Sequence, residues 1–352
     1  MVIFGAGASC DSSPANPLEN VGGMQWRPPL ANELFDMRFA NVITHFPRAK
    51  PVITHLLPQI GSAEPVNVER VLENLQSDAA AGDTERYRQL AAVQFYLQAM
   101  LVQCAWFWKD TTIGVTNYGT LIDEIRRLKQ TVCLVTFNYD TLLEDALSTW
   151  GLRFASMADY VKSDYKVIKV HGSANWAHEV ITSIDNLRGR DQLQVATEII
   201  DRRPDLEIGK SYEIVTQSLG DIQRGYPIGK SGEKPVLPAL AIPVENKPGD
   251  EIPAEHRKVL DECLPQITKI LVIGWRANES RFLKTLAEGI GNNPRSVQCM
   301  VVSRTEASGS KVGSKISESL RAGGVHADSF QVSKGGFTSA IRNHEAEKFL
   351  NA

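Results

Sequence analysis

The stretch Val132-Cys133-Leu134-Val135-Thr136-Phe137-Asn138-Tyr139-Asp140 constrains the fold more than any other part of the chain. It opens with apolar and β-favouring residues, turns abruptly polar, and runs into Thr141 to Leu147, which has helical spacing. A continuous apolar run that feeds a helix reads as a parallel strand buried on both faces. Polar side chains at the carboxyl end of such a strand face a ligand crevice rather than the core. The same Thr or Asp would also serve as the N-cap of the next helix, so the stretch acquires a functional meaning only beside others like it.

Elsewhere strands and helices alternate. Val2 to Phe4, Lys166 to Val170, Thr268 to Ile273, Val297 to Val302 and a short run near Ala327 to Phe330 read as strands. Tyr118 to Lys129, Glu279 to Glu288, Lys311 to Arg321 and a segment from Gly336 onwards read as helices. This order predicts an α/β fold, a Rossmann-like doubly wound parallel sheet. At 352 residues the chain is long enough for about two domains or one with large insertions. We expect the core in residues 1–29, 110–175 and 255–352, a helical insertion over 30–109, and a second, irregular insertion over 176–254. In the helical insertion Leu90, Val93, Leu97, Met100, Leu101 and Cys104 recur as one buried helical face. The loop from Asp11 to Pro29 is rich in Pro, Asn and Gly, and a loop that long is usually functional or disordered.

A net charge of −3 leaves no basic footprint for nucleic acid. Cys10, Cys104, Cys133, Cys263 and Cys299 never fall in CxxC spacing, which predicts buried thiols, a cytoplasmic location and no metal. No run reaches the length expected of a membrane span, and the first residues do not look like an export signal.

Three strand ends carry chemistry. Gly5-Ala6-Gly7-Ala8-Ser9 follows the first strand, where bare backbone amides could approach a pyrophosphate; a tight turn would demand the same glycines. Asn138 and Asp140 flank Tyr139 and would point to one side if strand alternation continued. His171-Gly172-Ser173 follows another strand, with an imidazole suited to proton transfer or to a structural hydrogen bond. Phosphate-cradle, amide/carboxylate and imidazole residues at the ends of one sheet together form a candidate site.

Gly5 to Ser9, Thr136 to Asp140, His171 to Ser173 and Val272-Ile273-Gly274-Trp275 resemble, in order and rough spacing, the sirtuin family. Arg27-Pro28-Pro29-Leu30 and Ala277-Asn278-Glu279-Ser280 are similar to segments of the sirtuin-like proteins of prokaryotic antiphage systems. The family's four-cysteine zinc module is absent, and Phe137 replaces its Gln. The resemblance implies a pocket for NAD as substrate, bound by Gly5, Ala6, Gly7, Ala8, Ser9, Arg27, Thr136, Asp140, Gly274, Trp275 and Ser303, with Asn138 and His171 catalytic. By that resemblance Asp140 holds the nicotinamide carboxamide, Asn138 positions the ribose or a water, and His171 is the general base. It implies NAD hydrolysis to nicotinamide and ADP-ribose in antiphage defence, held off by self-assembly or by a partner protein of the same system. NAD-dependent deacylation of proteins, or NAD or ADP-ribose binding without turnover, are the alternatives.

Overall fold

The computed structural model describes residues 1–13, 26–56, 68–129, 131–184, 187, 190–215, 234–241, 252–291, 296–325 and 327–352. Most of the predicted Pro- and Gly-rich loop, part of the expected helical insertion, and much of the second insertion lie outside these residues. The strands are β1 (Val2–Phe4), β2 (Val132–Thr136), β3 (Tyr165–Lys169), β4 (Gly172–Val180), β5 (Ile208–Ile214), β6 (Val236–Leu240), β7 (Lys269–Ile273), β8 (Val297–Ser303) and β9 (Ala327–Lys334).

One sheet has the order β3-β2-β1-β7-β8-β9, and every neighbouring pair in it is parallel. Its direction of winding reverses between β1 and β7, so the predicted doubly wound, Rossmann-like α/β sheet is what forms. Val2, Ile3, Phe4, Leu134, Val135 and Leu271 are fully buried, as the apolar runs required. Two of the flanking helices, Asn117–Arg127 and Glu306–Ala322, are started by side-chain caps: Thr116 accepts from the amide of Gly119, and Thr305 from that of Ser308. Each cap fixes where the chain leaves a loop and enters a helix beside the sheet.

A second sheet, antiparallel and three-stranded, has the order β5-β4-β6. It shares a hydrophobic core with the helical segment: Leu72, Phe95, Leu97 and Met100 pack in one cluster with Val195, Ile199, Leu237 and Leu240. The two insertions expected from the sequence are therefore halves of one unit. The stretch expected to be irregular carries β5, β6, part of β4 and the helix Gln192–Arg202. Its strands escaped detection because β5 is only partly buried and β6 contains Pro238, neither of which gives a clean period of two.

The helix Thr84–Thr111, capped by the Asp83 carboxylate, runs through the middle of this unit. It is buried nearly all round, Gln98 and Gln103 included, rather than along the single stripe expected. Contrary to the sequence reading, it is long and apolar enough to cross a membrane, but 78% of its apolar window lies inside the protein. Its hydrophobicity serves the second core.

Candidate functional site

The site is built where β1 and β7 end side by side. The amide of Gly5 donates to the carbonyl of Ile273 at 3.0 Å, and that of Gly7 to the carbonyl of Gly274 at 3.1 Å. A Cβ on Gly5 would lie 2.5 Å from the Cα of Trp275, and one on Gly274, whose φ is +64°, would lie 2.3 Å from the nitrogen of Ala8. These glycines let two backbones touch. Two of the amides expected to face a pyrophosphate are thus already engaged, and the chain turns at Gly5 into the short helix Ala6–Cys10.

A cavity of about 380 Å³ opens at these strand ends. That size and place suit a small-molecule site at the switch point of an open sheet. Gly5, Ala6 and Gly7 line it, as do Asn138, Asp140, His171, Gly274, Trp275 and Ser303. Asn138 and His171, far apart in sequence, open onto one space.

Four expected residues do not line it. Ala8 and Ser9 are buried behind the glycine turn. Thr136 is buried, with its Oγ1 accepting from the Asn138 amide at 3.0 Å. Arg27 stands 3.5 Å from the Glu33 carboxylate, while the following Pro29, Leu30 and Ala31 reach the cavity wall.

The side chain of Asn138 ties the wall together. Its Nδ2 lies 3.0 Å from the carbonyl of Gly5, 2.9 Å from Ser9 Oγ and 3.2 Å from the Tyr118 hydroxyl. A carbonyl only accepts, so the contact with Gly5 fixes the amide orientation and turns Oδ1 the other way. Ser9 and Tyr118 are themselves 2.9 Å apart, so Ser9 acts from behind as a brace. Strand alternation stops at Thr136: Tyr139 lines the cavity beside its neighbours and donates through its hydroxyl to Ala241 in the second unit.

Asp140 is buried, and that burial pushes its carboxyl above the usual range despite the nearby Lys169 and hydrogen bonds from Ser9 and the Leu142 amide. A carboxyl poised in this way can bind an amide as donor or as acceptor. Lys169, at the end of β3, is fully buried and lies 2.8 Å from Glu144, whose carboxyl burial also pushes upward. This ammonium also donates to the Asp140 carbonyl and so holds the end of β2 in place.

Phe137 and Trp275 stack at 4.8 Å with 8° between their planes, and the His171 ring meets Phe137 edge-on at 5.1 Å. Aromatic surfaces therefore restrict the imidazole's freedom on one side. Sequence reasoning missed Arg276 and Arg304, which line the cavity directly after Trp275 and Ser303. It also missed Tyr118, Lys169 and Phe337. The two arginines could have been found, since each immediately follows a residue already singled out at a strand end. Phe337 comes from the last helical segment, and nothing local marks it.

No family model matches the sequence, and no curated protein matches it. Among solved structures the chain is similar to a Sir2 homolog–NAD complex, at 14% identity over 99% of this chain and 90% of that one, with a TM-score of 0.38. A likeness of that degree adds nothing to what the strand order already shows.

Proposed function

We propose that this chain is an NAD glycohydrolase, releasing nicotinamide and ADP-ribose from NAD. The observation that carries the reading is the meeting of Asn138 and His171 on one cavity at the switch point of a doubly wound sheet. The resemblance of the four motifs to sirtuins supplies the substrate; the cavity supplies a place for it. Arg276 and Arg304, the cavity's arginines among the described residues, would neutralise a diphosphate, and Gly274, Trp275 and Ser303 would take the adenosine half. Asp140 would hold the carboxamide, and Asn138 Oδ1 would accept from a ribose hydroxyl or a water. His171 would take the proton as general base.

Cleavage of a cationic glycosidic bond expels a neutral base and develops positive charge on the sugar, so orientation and exclusion of competitors form most of the task. The test is incubation of the purified protein with NAD. Nicotinamide release that disappears in His171→Ala supports the reading, and release unchanged by that variant overturns it. Release that requires an acyl-lysine peptide would replace hydrolysis with deacylation.

An enzyme that depletes NAD is harmful to its own cell. We assign it to an antiphage system in the cytoplasm, restrained by self-assembly or by a partner protein until infection. Light scattering after size exclusion, with and without NAD, tests the assembly: a strict monomer in both conditions counts against it.

A further inference from the structure

Away from the cavity, three side chains from two widely separated parts of the sequence converge. Glu124 lies on the helix Asn117–Arg127, His344 in the turn between the helices Gly336–Arg342 and Glu345–Asn351, and Glu347 on the last of these. One potential ligand atom from each lies within 4.8 Å of the other two. His344 Nδ1 is 2.9 Å from the Glu347 carboxylate.

Glu124 is the unusual member. It is only 7% exposed, and its Oε2 accepts no hydrogen bond from any described residue. A carboxylate oxygen withdrawn from water normally has a donor or a cation as partner. Arg127, on the same helix as Glu124, pairs with Asp123 at 2.6 Å.

We propose that Glu124, His344 and Glu347 bind a divalent transition-metal ion of the zinc type. One imidazole and two carboxylates form a mixed nitrogen and oxygen donor set, which suits zinc better than magnesium or calcium, ions that prefer oxygen alone. Three protein ligands leave a position for water, as in an open tetrahedral site. The ion pins the C-terminal helical pair to the helix Asn117–Arg127. These elements also reach the cavity: Tyr118 braces Asn138, and Phe337 forms part of the wall. The site therefore clamps two supports of the cavity without touching it. Only the His-x-x-Glu spacing is visible in the sequence, because Glu124 is supplied by a distant helix.

Zinc alone is the probe. The wild-type protein is expected to take up one equivalent of Zn²⁺ in competition with a chromophoric chelator, and its unfolding temperature should rise by several degrees with zinc but not with magnesium. His344→Asn tolerates the positive φ of 56° at that turn, and Glu347→Gln is at the surface, so both variants should fold. Each should weaken zinc binding at least about tenfold, and the double variant should abolish both the uptake and the thermal shift. Absence of zinc uptake by the wild type overturns the proposal, as does uptake that is unchanged in the double variant.

Discussion

In the parallel sheet β1 and β2 bury every residue and β7 all but its first, whereas β5 of the antiparallel sheet buries only Ile214. The first core is assembled around central strands, β1, β2 and β7, that are apolar on both faces. The second is assembled by pairing helices from one part of the chain with a sheet from another. Each of these central strands therefore announces itself in isolation. Parts of the second acquire meaning only once they have been brought together.

If the second core is a unit of its own, damage to it should stay there. Phe95 is fully buried in it, so Phe95→Ala should cost about 4 kcal/mol. Thiol labelling in mild denaturant tests the separation, because Cys104 belongs to the second core and Cys299 to the first. Both thiols are pushed up to about 12 by burial, so neither reacts until its surroundings open. Phe95→Ala should accelerate labelling of Cys104 and leave Cys299 unaffected. Equal acceleration of both would merge the two cores into one cooperative unit.

Lys169→Met examines the first core. It leaves Glu144 buried without its cation, and the expected loss is about 3 kcal/mol in denaturant unfolding. A smaller loss, about 2 kcal/mol, is expected of Gly274→Ala, which combines a positive φ with a backbone contact. That variant should also lower nicotinamide release, since it separates the strand ends that form the cavity wall.

The smallest effect on stability is expected from Asp140→Asn. Its folded-state pKa is raised, so the native state favours the protonated form. The stability this supplies is complete below the unfolded pKa and is lost as pH rises through the folded one. The Asn variant should thus be at least as stable as wild type at neutral pH and should show a flatter pH profile above the ordinary Asp range. A marked loss of stability at neutral pH would make Asp140 a structural group. Reduced NAD turnover in a variant of undiminished stability would sharpen its assignment to the site.

How far the sequence could be read follows from the same contrast. Val132 to Thr136 and Lys269 to Ile273 gave themselves away by composition, and the doubly wound order followed from their alternation with helices. Asn138 and His171 were legible because each stands next to such a strand. Ser9 and Thr136 were expected to bind the ligand, but they lie behind the cavity and brace it, a distinction that depends on which way a side chain turns once the backbone has left the strand. The amides of Gly5 and Gly7 were assigned to a ligand, yet the carbonyls of Ile273 and Gly274, at the end of β7 in the last third of the chain, take them first; a hydrogen-bond partner so remote leaves no local trace. The three strands of the antiparallel sheet were missed for a related reason: Ala177 gains meaning only opposite Pro238 and Glu213.

One junction has a mechanical corollary. The amide of Val170 still donates to Thr136 of the parallel sheet, while the carbonyl of His171 already accepts from Ala241 at the end of β6. The seam between the two sheets is therefore a single residue step wide, and the imidazole sits on it. Asn138 is anchored to Gly5 on the parallel side, so tilting one layer against the other would change the spacing of these two groups directly. A ligand or neighbour that pressed on the helical unit would have a short lever to the imidazole.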